Sequence, residues 1–213
     1  MITERDTCGS SEGIVVIREV CELKKVPALL LAGVVALSLA VSLSGCGLSD
    51  EDKALRHLNR GDSYAYKMSA EADNLSEALE DFFATLQGPS PEAVASAGGP
   101  IERYNTALQN VKSFAYDMEL AYQEVLSLGG AEEEKEYAGM MIDVARKTDE
   151  LMDFIEEWFG KVLDVLSTLD EKKIRSYLTG DEFEEGRARI GIMKEEIGEI
   201  TGRAKEYRVE RDF

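Results

Sequence analysis

The chain is 213 residues long and carries 24 basic and 42 acidic side chains, a formal charge of −18, with 44% hydrophobic and 8% aromatic residues. That apolar fraction excludes a disordered acidic tail and predicts a packed core, and the length permits one domain of ordinary size with room for a small appendage. The acidic balance argues against a nucleic-acid partner, which needs a basic face, and four prolines, one tryptophan and one histidine argue against a turn-rich β-sandwich and most metal chemistry.

In chain order, residues 1–22 have mixed charges, and the short apolar stretch Ile14-Val15-Val16-Ile17 is not read as a strand. Lys24 and Lys25 then precede a charge-free apolar run, Val26 to Leu43, that ends in Leu43-Ser44-Gly45-Cys46. A basic start, an apolar stretch and small residues at a cut site describe a secretory signal peptide. Leu43-Ser44-Gly45-Cys46 resembles the lipobox of bacterial lipoproteins, and the resemblance covers Leu23 to Gly47. It implies diacylglycerol on the Cys46 sulfur, cleavage between Gly45 and Cys46, and usually acylation of the new amino terminus. The residue types suit that chemistry, since a thiolate is a good nucleophile for lipid transfer. The alternative is an uncleaved transmembrane helix. Val26 to Leu43 is 18 residues, just long enough to span, but Pro27, Ser38, Ser42 and Ser44 weaken it, and acids, not a basic stop-transfer cluster, follow at Asp50, Glu51 and Asp52. Cleavage also removes Cys8 and Cys21, leaving Cys46 as the one cysteine of the mature chain. Residues 1–22 fit poorly as the basic region of this signal. Initiation at Leu23 through an alternative codon gives an ordinary export signal, so 1–22 is expected to be a mis-assigned extension. Gly47 after the cysteine resembles the pattern sent to the outer membrane in cells with two membranes; otherwise the outer face of the plasma membrane is the destination.

Removing residues 1–45 takes away five acids and four bases, so the mature chain, 46–213, carries about −17 when its amino terminus is acylated. It shows one periodicity four times. Ala54, Leu58, Gly61, Ala65, Met68, Ala72, Leu75, Leu79, Phe82 and Leu86 alternate spacings of four and three, as do Ile101, Tyr104, Leu108, Val111, Ala115, Met118, Tyr122 and Val125. A third set runs Tyr137, Met141, Val144, Thr148, Leu151, Ile155, Trp158, Val162, Val165 and Leu169, and a fourth Phe183, Gly186, Ile190, Met193, Ile197, Ile200, Ala204 and Tyr207. Such spacing makes one apolar stripe per helix and favours nearly parallel packing. The predicted helices span about 49–87, 100–128, 131–178 and 181–210. Ser49 is expected to cap the first, a short turn is expected over 91–96, Gly129-Gly130 separates the second and third, and Asp181 with Glu184 has capping-box spacing for the fourth. The expected fold is all-α: an antiparallel up-down four-helix bundle with long helices. Small seam residues of the first helix are expected to pack against bulky ones such as Tyr137 and Trp158, and the glycines Gly186, Gly191, Gly198 and Gly202 to permit close packing of the last.

No residue pattern points to catalysis. His57 lacks the Glu-x-x-His context of a di-iron bundle and is read as structural, and Met68, Met118, Met141 and Met193 as core filler. The acidic runs Glu132 to Glu136 and Glu195 to Glu199 are read as solvated faces. Tyr104, Tyr122, Tyr137 and Tyr207 lie on seams, so their hydroxyls need partners or water at the bundle edge, or else line a ligand groove. With no catalytic, metal or cofactor residues identified, the expected function is a lipid-anchored, extracytoplasmic binding or scaffolding module for an unknown protein or small-molecule partner. It is held at the membrane through Cys46, with no nucleic acid partner and an undetermined oligomeric state. Two alternatives belong to other classes: the ectodomain of a signalling component with an uncleaved transmembrane helix, and a small-ligand or haem-binding bundle.

Overall fold

The computed structural model describes residues 49–86 and 97–213. The expectations for the 1–22 extension, the signal, Gly45, Cys46 and the turn over 91–96 fall outside these residues. Among the described residues the fold is all-α, with five helices and no strand: α1 (Asp50–Thr85), α2 (Gly98–Leu126), α3 (Glu132–Ser167), α4 (Glu171–Leu178) and α5 (Asp181–Arg211). At 1.5 Å per residue the 36-residue α1 and α3 are each about 54 Å long.

The helix starts have separate local causes. The Ser49 hydroxyl accepts a hydrogen bond from the Asp52 N–H at 3.1 Å, and Asp50, Glu51 and Asp52 place negative charge in the first turn of α1, where the helix dipole favours it. Between α2 and α3 the chain reverses through Gly130 and Ala131, at φ 77° and 58°; Ala131 then stands as the N-cap of α3 without a side-chain cap.

Two boundaries depart from expectation. The third helix does not run on to residue 178. It stops at Ser167, Leu169 adopts φ 51° and is 58% exposed, and a new helix starts at Glu171. The cause is Asp170, whose carboxylate accepts hydrogen bonds from the Lys172 and Lys173 N–H groups at 3.0 and 3.1 Å. That cap competes with helix continuation, and the apolar stripe through Val165 and Leu169 does not outweigh it. Asp181 is likewise not a cap: it is the first residue of α5, and the Gly180 carbonyl accepts from the Phe183 and Glu184 N–H groups.

The packing contacts join residues of the predicted stripes to neighbours outside them, Asp62, Phe83, Phe159 and Arg208. The first half of α1 meets the last part of α2, the start of α3 and the end of α5 at Asp62, Tyr122, Tyr137 and Arg208. At the other end Phe82 meets Phe159, Phe83 meets Trp158 and Phe183, and Tyr104 meets Phe159 at 4.2 Å between ring centroids. α3 packs closely against both α2 and α5. It therefore buries a second stripe, with Ala138, Ile142, Ala145, Met152, Phe159 and Leu166, beside the predicted one. Small residues do stand against large ones, but between different helices than expected. A Cβ on Gly61 would lie 2.5–2.8 Å from atoms of the Tyr122 ring, and one on Gly186 would overlap the Trp158 indole. Close packing does not extend to every glycine of α5, because Gly191 and Gly202 face open space.

Candidate functional site

Among the described residues, the place where all four long helices bring polar chemistry into the interior is Asp62. It is 5% exposed, one helical position beyond the seam residue Gly61. Gly61 lets the Tyr122 ring lie against the α1 backbone, and that approach delivers the Tyr122 hydroxyl to Asp62 Oδ1 at 2.7 Å. Tyr137, from the first turns of α3, donates to the same oxygen at 2.9 Å. The other oxygen, Oδ2, accepts from Arg208 Nη1 in a short ion pair. Arg208 is held in turn: Nη1 lies 3.3 Å from the Tyr137 hydroxyl, Nε donates to the Phe213 carbonyl at 2.9 Å, and the guanidinium stands 5.1 Å from the Tyr137 ring centre.

Electrostatics follow from this enclosure. Burial pushes the Tyr122 and Tyr137 hydroxyls well above the ordinary tyrosine range, and the adjacent Asp62 charge pushes in the same direction. Burial works to lower the Arg208 pKa, but the Asp62 charge and hydrogen bond outweigh it and hold the guanidinium above its usual value. Both carboxylate oxygens are engaged by donors, so the cluster spends its hydrogen-bonding capacity on the protein itself. What it does chemically is fix four helices in one register.

The predicted seam tyrosines divide. Tyr122 and Tyr137 do not end in water at the bundle edge; they end on a buried carboxylate, because Asp62 is brought inside with them. Tyr207 does reach the edge and donates to Glu136 at 3.0 Å. Tyr104 makes only a long contact, 3.5 Å, to the Ile155 carbonyl, and burial raises its pKa. His57 is half-buried, with Nδ1 2.5 Å from Glu124 of α2. Met68, Met118 and Met141 are buried, and Met193 is packed at the core margin.

Two surface features lie outside this cluster. A groove between α2 and α3 is lined by Tyr116, Glu119, Arg146, Asp149 and Glu150, and Asp149 is raised by burial and by the neighbouring Asp153 charge. A shallow depression beside α4 is lined by Lys172, Lys173, Tyr177 and Asp181. Among the described residues no group of three His, Cys, Asp or Glu side chains is placed to hold a metal ion, and no helix is long and apolar enough to cross a membrane.

Sequence reasoning singled out neither Asp62 nor Arg208. The available signal was positional: an acid beside the small residues Gly61 and Ala65, within reach of two seam tyrosines. Comparison of the chain with protein-family models, with curated proteins and with solved structures finds no match.

Proposed function

We propose that the chain is a lipid-anchored, extracytoplasmic helical bundle that works by binding or scaffolding. The observation that carries this reading is Leu43-Ser44-Gly45-Cys46 at the end of a charge-free run behind Lys24 and Lys25. The position of α1 supports it. Its cap, Ser49, follows Cys46 by three residues, so a lipid on that sulfur would hold the folded domain close to the membrane surface. The mature charge of about −17 then repels anionic headgroups within roughly 8 Å at physiological salt, and the domain stands outward from the membrane.

The finer architecture belongs to the same proposal. Contacts at Asp62 and at Phe83 support four long helices alternating in direction, α1, α2, α3 and α5, with α4 as a short side piece. Such a bundle offers a rigid presenting surface, and its partner is a protein or small molecule recognised outside the cytoplasm.

The test is incorporation of labelled palmitate in bacterial cells. The expected result is a labelled, membrane-retained protein, with Cys46→Ala losing both label and membrane retention. A Cys46→Ala protein that stays in the membrane at its full unprocessed mass refutes the lipid anchor and favours an uncleaved helix.

A further inference from the structure

α5 is bound to its neighbours in two different ways. Against α3 it packs closely; from α1 its backbone stands further off than in the other neighbouring pairs of long helices. Away from the Phe83–Phe183 ring pair, the contact across that wider gap is made by charged side chains, Asp62 with Arg208. On α1, Asp62, Asp73 and Glu80 fall on one stripe with Tyr66, Ser69 and Ser76, at alternating spacings of four and three. On α5, Arg187, Lys194, Lys205 and Arg208 fall on a matching stripe with Gly191, Gly198 and Thr201. The acids are all on one helix and the bases all on the other.

The contacts agree with that register. Asp62 meets Arg208, and the Asp73 charge acts on the Lys194 amine. One heptad further along each helix, Glu80 and Arg187 stand at matching positions, with Arg187 Nη1 also paired to Glu184 of its own helix at 3.2 Å. Burial pulls the Lys194 and Lys205 amines below the usual lysine range, with Asp73 pulling Lys194 partly back. Of these, Lys194 lies within reach of the Asp73 charge, so its partly desolvated amine regains water when the seam opens.

The ends of α5 differ as well. Its first turn is fastened by rings, with Phe183 5.2 Å from Trp158 and 5.9 Å from Phe83. Its last turns are fastened to α1 by Arg208 on Asp62, and to α3 by Tyr207 on Glu136 and Arg211 on Glu133. Between them lie Gly191 and Gly202, glycines with open space where a Cβ would sit, which weaken α5 as a helix without serving close packing.

We propose that α5 is a strap, hinged at its Phe183 end and clasped at its Arg208 end, that swings off α1 while α1, α2 and α3 stay folded together. Charged seams respond to salt, since the Debye length falls from about 10 Å at 0.1 M to about 3 Å at 1 M, whereas the apolar seams among α1, α2 and α3 do not weaken in that way. Opening of this kind is a sub-global transition, in which one cooperative unit separates from the rest.

Hydrogen exchange by mass spectrometry on the full chain in non-ionic detergent tests the proposal. Amides of 191–208 are expected to exchange at least about threefold faster at 1 M than at 0.1 M salt, with α1, α2 and α3 changing less than about twofold. Asp73→Asn, at an exposed position, is expected to speed the same amides by about two- to fivefold. Asp62→Asn is expected to speed them by about tenfold or more, because it removes the clasp charge. Exchange of α5 in step with α3 under every condition overturns the proposal. So does a gradient that simply rises toward residue 211 and ignores Asp73→Asn, which is end fraying. If Asp62→Asn does not fold, the salt comparison and Asp73→Asn decide the matter.

Discussion

Arg208→Met tests whether the Asp62 cluster is an ion pair whose removal leaves a buried charge. Methionine keeps an unbranched apolar stem against Tyr137 and deletes the cation. The Asp62 side chain is 7% exposed, so little water can replace the guanidinium. Breaking a buried pair by removing one partner costs about 3–5 kcal/mol. Asp62 keeps the Tyr122 and Tyr137 hydroxyls at 2.7 and 2.9 Å, and these partly compensate the charge, so the expected loss is near the lower end, about 3 kcal/mol. Urea unfolding followed by circular dichroism measures it: with a slope of about 2 kcal/mol per molar, the midpoint falls by about 1.5 M. The decisive comparison is the double variant Asp62→Asn/Arg208→Met. Asparagine is neutral and its Oδ1 still accepts from both tyrosines, so the double variant is expected to recover about 2 kcal/mol relative to Arg208→Met. A double variant no more stable than Arg208→Met refutes the reasoning, because the cost would then not come from an unpaired carboxylate.

The glycines give opposite signs at different positions. Gly61→Ala, with its new Cβ 2.5–2.8 Å from Tyr122 ring atoms, is expected to destabilise by about 1–3 kcal/mol. Gly186→Ala presses on Trp158 and is expected to do the same while shifting the emission of the one tryptophan. Gly191→Ala and Gly202→Ala, both facing open space, are expected to stabilise by about 0.5–1 kcal/mol each in the same urea assay. Alkaline pH is expected to destabilise the protein through its buried phenols. Tyr104, Tyr122 and Tyr137 have raised folded pKa values, so the unfolded chain loses its phenolic protons first. Their contribution is complete below about pH 10 and falls above it by about 1.4 kcal/mol per pH unit for each tyrosine. Lys194, whose folded pKa is lowered, works in the opposite sense as pH rises toward the ordinary lysine value. Unfolding free energies measured at several pH values check the net slope, and a flat profile above pH 10 contradicts burial of the three rings.

Much of the helical architecture was legible because a stripe of apolar residues is a repeated signal. Leu58, Leu108, Val111, Met118, Val144 and Phe183 are all buried as their spacing predicts. The second buried stripe of α3 was not legible in a one-sided pattern, since it exists only because α3 has close neighbours on two sides. The break at 168–170 was hidden for a different reason. Val165 and Leu169 continue the apolar period, and only Asp170 ahead of Glu171 announces a competing cap. Within the candidate site the tyrosines were visible as seam residues with hydroxyls to satisfy. Asp62 was not, because an acid carries no weight in an apolar period, and its partner Arg208 is 146 residues away.

The cluster nevertheless answers a question that the apolar stripes leave open. Heptad-like seams built from Ala, Leu, Met and Val tolerate a slip of one heptad along the helix axis with little change in buried area, and they do not by themselves choose which neighbours a helix takes. A buried carboxylate does choose. Any arrangement that withdraws Tyr122, Tyr137 or Arg208 leaves Asp62 less satisfied in a dry interior, and that cost exceeds what a shifted apolar contact regains. One acid on α1 thus sets the register of α2, α3 and α5 together. The same logic explains why the clasp sits next to Gly61: without the close approach of Tyr122 that glycine permits, the carboxylate would lose its shortest tyrosine hydrogen bond. Register here is set by a polar group placed where the apolar pattern had made room for it.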